Sequence, residues 1–117
     1  MKFGIKSKIK TLCTKQDISV LKQALKDEDC VAIDLREKED FDSFHIDGTV
    51  NIPYSGAATG IKRYVKNKNT KIYLFCYHGA SAKAVCAMLR TKGYTNVVNL
   101  GGIDKWKQEN QNKTKSL

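Results

Sequence analysis

The chain has 117 residues, 41% of them hydrophobic, which fits one compact domain with a single core. Its longest apolar runs are about five residues against the roughly 20 that span a bilayer, and the lysine-interleaved start from Met1 to Lys8 is not a signal peptide, so no membrane partner and a cytoplasmic location are expected. The formal net charge of +9 is spread from Lys2 to Lys115 without an arginine-rich run, which argues against a nucleic-acid reader and for a general positive field that draws in a small anion.

Residues 3–13 alternate loosely between apolar and basic side chains and predict an edge strand with its lysines on the wet face. Ile18, Leu21, Ala24 and Leu25 recur at spacings of three and four, predicting an amphipathic helix over 15–27 with Thr14 as N-cap. The short apolar run Val31–Leu35 reads as a strand buried on both faces of a parallel sheet. A charged turn, Arg36–Asp40, leads into a short helical piece at Phe41–Phe44. His45-Ile46-Asp47-Gly48 then turns the chain into an extended segment over 49–52, stopped by Pro53, the only proline. Residues 56–66 predict a helix with Ile61, Tyr64 and Val65 inward, and Ile72–Phe75 is the next buried strand. The helix after it carries Ala84, Val85, Met88 and Leu89 on its core face and stops at Gly93. Asn96–Leu100 is the last strand, followed by Gly101-Gly102, a short helix through Trp106 and a polar tail. One domain over 1–110 and a tail over 111–117 are expected, the domain being α/β with a mostly parallel sheet whose ligands bind beyond the carboxyl ends of the strands.

At one of those ends the apolar strand runs straight into Cys76-Tyr77-His78-Gly79-Ala80-Ser81. Gly79 lets the backbone curl, Ala80 adds almost no bulk, and Ser81 opens a helical pattern and can cap it with its hydroxyl. Successive N–H groups in such a ring, facing the positive end of a helix dipole, favour a thiolate and cradle a small anion, so Cys76 is the candidate nucleophile. Cysteine phosphatases grip the phosphoryl group with an arginine six positions after the cysteine. Here that position is Ala82, and the loop is a residue short, which disfavours phosphate esters. The shorter ring suits attack on a sulfane sulfur, with the resulting persulfide anion held by loop N–H groups and Ser81; no cofactor is needed. The remaining cysteines, Cys13, Cys30 and Cys86, form no CxxC pair and no zinc-like spacing, so no metal is expected. All read as free thiols filling core positions.

With these residues in view, the chain resembles the rhodanese family of sulfurtransferases over about 30–107. Val31–Glu37, Phe41 and His45–Pro53 are similar to the family's first signature, Leu100-Gly101-Gly102-Ile103 with Trp106 to its closing one, and Cys76–Ser81 to the active-site loop of single-domain bacterial thiosulfate sulfurtransferases. The resemblance implies a five-stranded sheet flanked by helices on both faces. It also implies Cys76 as the persulfide-bearing nucleophile, Tyr77, His78, Gly79, Ala80 and Ser81 as the donor-binding loop, and Asp34, Arg36 and His45 as a structural polar network. The implied partners are a small anionic sulfur donor with a thiol or cyanide acceptor. The sequence departs from the family's pattern at Phe44, where glycine is usual, and at Asp47, where proline is common. Its loop also carries no Arg or Lys, which many members use to hold thiosulfate; Lys83 is the nearest cation in sequence. That departure keeps open a second reading, a persulfide relay fed by a partner protein. A third reading is a non-catalytic interaction module, against which the retained Cys76 speaks.

Overall fold

Strand pairing organises the molecule around β4, Lys71–Cys76. The computed structural model describes residues 13–27 and 29–106. Within them β1 (Thr14–Lys15), β2 (Cys30–Asp34), β3 (Val50–Asn51), β4 and β5 (Val97–Gly102) form one five-stranded sheet in the order β1-β5-β4-β2-β3, with every pairing parallel. The helices are α1 (Leu21–Asp27), α2 (Lys38–Ser43), α3 (Ala57–Tyr64) and α4 (Ala80–Thr91). Short 3₁₀ turns, Ile18–Val20 and Tyr54–Gly56, precede α1 and α3.

The central strands are apolar on both faces because both are covered. Ile72, Leu74 and Cys76 of β4 join Ile33, Leu35 and Val97 in a core closed by α3 (Ile61) and α4 (Ala82, Val85, Cys86, Leu89). The alternate residues Tyr73 and Phe75, with Ala32, Val98 and Leu100, face Ile18, Leu21 and Ala24 of the α1 side. The two-residue period of β4 therefore points the Cys76 thiol at the α3/α4 layer. That is the side from which the following helix returns.

Several boundaries differ from the sequence expectation for identifiable reasons. The expected strand over 3–13 and the tail from residue 107 lie outside the described residues. The edge strand that is present, β1, takes Thr14 and Lys15 into parallel pairing with Val98 and Asn99, so Thr14 is not an N-cap. Asp17 caps instead, accepting from the Ser19 backbone N–H at 3.2 Å, and α1 begins only at Leu21. Hydrogen bonds from the Ser19 hydroxyl, then from its backbone N–H, hold the Asp17 carboxyl below its ordinary range. Tyr64, expected inward, is the last residue of α3 and is exposed, while Val65 remains buried. On α4 the buried face is Ala82, Val85, Cys86 and Leu89, one step round from the expected stripe; Ala84 is exposed. The helix ends in a Schellman arrangement in which Gly93 (φ 95°) donates to Arg90 O and Tyr94 to Leu89 O, both at 3.1 Å. Cys13 and Cys86 are not free thiols: they are joined in a disulfide, Cα atoms 6.2 Å apart across 73 residues of sequence, which ties the chain ahead of β1 to α4. Among the described residues no helix is long and apolar enough to cross a membrane.

Candidate active site

Cys76 is the last residue of β4, with 5% of its surface exposed. The backbone leaves the strand, turns through Tyr77 and His78, and reaches Gly79 at φ 110°, a left-handed conformation that favours glycine. Gly79 is the N-cap of α4, which starts at Ala80, one residue earlier than the sequence expectation. This tight return brings two backbone donors onto one atom. Gly79 N–H donates to Cys76 Sγ at 3.0 Å, and Ala82 N–H, in the first turn of α4, donates at 3.4 Å. Both groups are orphan donors of a helix amino terminus, so the sulfur sits where the partial positive charge of a 12-residue helix emerges. Both donors are backbone groups, and among the described residues no cationic side chain is hydrogen-bonded to the sulfur.

The loop rests on backbone. Ile103 N–H donates to the Cys76 carbonyl at 2.8 Å, and a Cβ at Gly102 would stand 2.5 Å from Tyr77 O and 2.9 Å from His78 Cα. Neither atom is the movable end of a side chain. Gly102→Ala is therefore expected to push the loop off its seat, costing about 1–3 kcal/mol of stability and lowering turnover up to about 100-fold through misplacement of the donors. Urea unfolding and steady-state assays on the folded fraction measure the two effects separately.

The other predicted loop residues divide. The Tyr77 and His78 side chains point outward at the rim, their ring centroids 4.7 Å apart. His78 Nδ1 lies 3.7 Å from Asp104 Oδ2. Together they border a cleft of about 410 Å³ whose lining includes Lys15, Asp17, Gly102 and Lys105. Asp104, Lys15 and Lys105 were not singled out from the sequence; only the fold places the edge strand and the end of β5 beside the loop. The expected Ser81 cap is absent: Gly79 occupies the cap position, and among the described residues the Ser81 hydroxyl makes no hydrogen bond to Sγ. Gly79 and Ala82 carry the cradle in its place.

Asp34 and Arg36 form the polar knot below this edge. Arg36 Nε donates to Asp34 Oδ1 at 3.0 Å and Nη2 to Oδ2 at 2.9 Å, and Nη2 also reaches the Phe44 carbonyl at 2.6 Å. Asn51 Nδ2 closes the ring onto the carbonyls of Asp34 and Arg36. His45 is not bonded into this knot. Its ring stacks on Phe41 at 3.9 Å, and Nδ1 pairs with the Phe41 carbonyl at 2.8 Å, so the two groups brace the same turn from different sides. Among the described residues no group of three His, Cys, Asp or Glu side chains converges as a metal site.

Fold and site together define an α/β domain with a cysteine thiol seated in a backbone anion nest at the ligand edge of a parallel sheet. Sequence comparison places it. The rhodanese-like domain model matches residues 17–109, and the chain belongs to that family. Thiosulfate sulfurtransferase GlpE of Pseudomonas syringae pv. syringae is 30% identical over 86 residues, covering 73% of this chain and 79% of that protein. Thiosulfate sulfurtransferase PspE of Escherichia coli is 32% identical over 71 residues, 61% of this chain and 68% of that one. The crystal structure of a rhodanese-related protein from Thermoplasma volcanium superposes with a TM-score of 0.69 at 25% identity, covering 82% of this chain and 92% of that one.

Proposed function

We propose that this protein is a sulfurtransferase that moves a sulfane sulfur from a donor such as thiosulfate to a thiophilic acceptor, cyanide or a thiol, through a persulfide on Cys76. The observation that carries this reading is the convergence of the Gly79 and Ala82 N–H groups on Sγ. In the first half-reaction the thiolate attacks the outer sulfur of thiosulfate. The Cys76 S–S bond forms, the S–S bond of the donor breaks, and sulfite leaves with the electron pair. In the second, cyanide or a thiolate takes the terminal sulfur and the Cys76 thiolate is restored, which makes the cycle ping-pong. The Gly79 and Ala82 N–H groups are oriented on Sγ before the reaction, so the charge of the attacking thiolate, and of the thiolate restored at the end of the cycle, is met without reorganisation.

A second reading rests on the absence of Arg and Lys between Cys76 and Ser81. Without a cation in the loop, the loop itself offers a free dianion only backbone donors, and a partner protein presenting its own persulfide would not need a cation there. In that role the chain is a sulfur relay. Intact mass after incubation with thiosulfate separates the two. A gain of about 32 Da, one sulfur atom, in the wild type and none in Cys76→Ser supports transfer from a free donor. No gain from thiosulfate but a gain from a cysteine desulfurase with cysteine supports the relay. A gain retained in Cys76→Ser overturns both.

A further inference from the structure

The charge of this chain is distributed far less evenly than its total suggests. The 56 residues from Gly48 to Ile103 contain eight Lys or Arg and no Asp or Glu. They include α3, α4, β4 and β5, so the α3/α4 layer over the sheet is built from a segment without a single carboxylate. Four of those cations meet in one place. A groove of about 380 Å³ at the amino end of β4 and β5 is lined by Thr59, Lys62, Arg63, Lys66, Lys68 and Tyr94.

We propose that this groove is a binding site for an oligophosphate, separate from the sulfur-transfer site and independent of which sulfur donor that site uses. Its floor is fixed. Tyr94 is buried, its hydroxyl donating to Val65 O at 2.7 Å, and Lys68 Nζ lies 4.9 Å over the Tyr94 ring while donating to the Lys92 carbonyl. Lys62, Arg63 and Lys66 are exposed around it, and among the described residues none of the three forms an ion pair. The carboxyl end of α3 accounts for cations at Lys62 and Arg63 through the helix dipole. It does not account for Lys66 and Lys68, which lie beyond the helix.

Two other clefts that carry lysines behave differently. The one beside Phe44 contains Asp47, and the one beside His78 contains Asp17 and Asp104, so their lysines face carboxylates. Lysine also meets carboxylate on α2, where Lys38 pairs with Asp42 at 2.6 Å. A concave site of one sign focuses the field and selects a multiply charged anion. The forked Arg63 guanidinium suits phosphate oxygens in particular. Five residue steps along β4 put the groove about 16 Å from Cys76, too far for its occupant to be the sulfur being transferred.

Free oligophosphates and a polynucleotide backbone present the same group, so both serve as probes: inorganic tripolyphosphate, and a fluorescein-labelled 12-mer of uridine. Binding is measured by calorimetry and anisotropy on the full chain at 50 and 200 mM salt. The groove triple variant (Lys62→Ala, Arg63→Ala, Lys66→Ala) is compared with a charge-matched control (Lys22→Ala, Lys26→Ala, Lys38→Ala), both checked for folding by circular dichroism. The expected result is at least a tenfold loss of affinity for one or both probes in the groove variant and less than twofold in the control, with sulfur transfer unchanged in both. If the oligomer is bound, its log–log salt slope flattens by about two units in the groove variant. Tripolyphosphate binding alone identifies a free ligand; oligomer binding displaced by tripolyphosphate identifies a backbone. Equal losses in groove and control variants, or no wild-type binding of either probe below about 1 mM at 50 mM salt, overturn the proposal.

Discussion

Cys76→Ser is expected to lower cyanide-dependent thiocyanate formation from thiosulfate by about 10³-fold or more. The substitution keeps the shape of the side chain and leaves the Gly79 and Ala82 donors in place. What it removes is the sulfur. A serine hydroxyl is scarcely ionised at neutral pH, and the one imidazole of the loop, His78, points outward toward Asp104 instead of onto the position of Sγ. Because Cys76 is packed in the α3/α4 core, replacing its sulfur by a hydroxyl is expected to cost about 1 kcal/mol of stability, which leaves the domain folded. Loss of turnover per folded molecule is therefore the signature of a nucleophile. Cys30→Ser is the control: that thiol begins β2 at the opposite edge of the sheet, with the Ala24 carbonyl 3.8 Å from its sulfur. Turnover retained in Cys76→Ser, or lost in Cys30→Ser, would remove Cys76 from the reaction.

The parts of this molecule legible in the sequence are those whose cause is local. A run such as Ile72–Phe75 is apolar at every position because both faces are covered, and its abrupt end at a cysteine followed by Gly79 exposes the turn. The Gly93 stop was visible for the same reason, since a helix terminator acts on its own last turn. What failed was set by partners distant in sequence. Thr14 has the chemistry of an N-cap, but pairing with Val98 draws it into a strand. Tyr64 falls on the inward phase of the helical period, yet the helix ends there and the ring turns to solvent. Cys13 meets Cys86 only because β1 docks beside β5 under α4. The phosphate groove combines both kinds of signal. Lys62, Arg63, Lys66 and Lys68 are close in sequence and read as part of a diffuse charge; the fold adds Tyr94 beneath them and leaves carboxylates out.

The buried pair Asp34–Arg36 carries the largest expected effect on stability. The Asp34 and Arg36 side chains are 0% and 4% exposed, so Arg36→Ala leaves a carboxylate inside the protein without its bidentate partner and strips the Phe44 carbonyl of a donor. Breaking such a pair from one side costs about 3–5 kcal/mol, which for a domain of this size corresponds to a fall in Tm of about 12–20 °C. The damage reaches the candidate site by a short route. Asp34 stands in register with Phe75, the neighbour of Cys76, and Leu35 N–H donates to the Phe75 carbonyl at 2.9 Å. Some loss of turnover per folded molecule is therefore expected beside the loss of stability. Arg36→Lys should rescue only part of it, because an ammonium cannot span both carboxylate oxygens and the Phe44 carbonyl together. The double variant Asp34→Ala/Arg36→Ala tests the origin of the effect. If the cost is the stranded charge, the double variant loses less than the sum of the singles by about 1–3 kcal/mol in urea unfolding. Additive losses would mean that the two side chains act separately, Asp34 on its own backbone and Arg36 on the 41–44 turn.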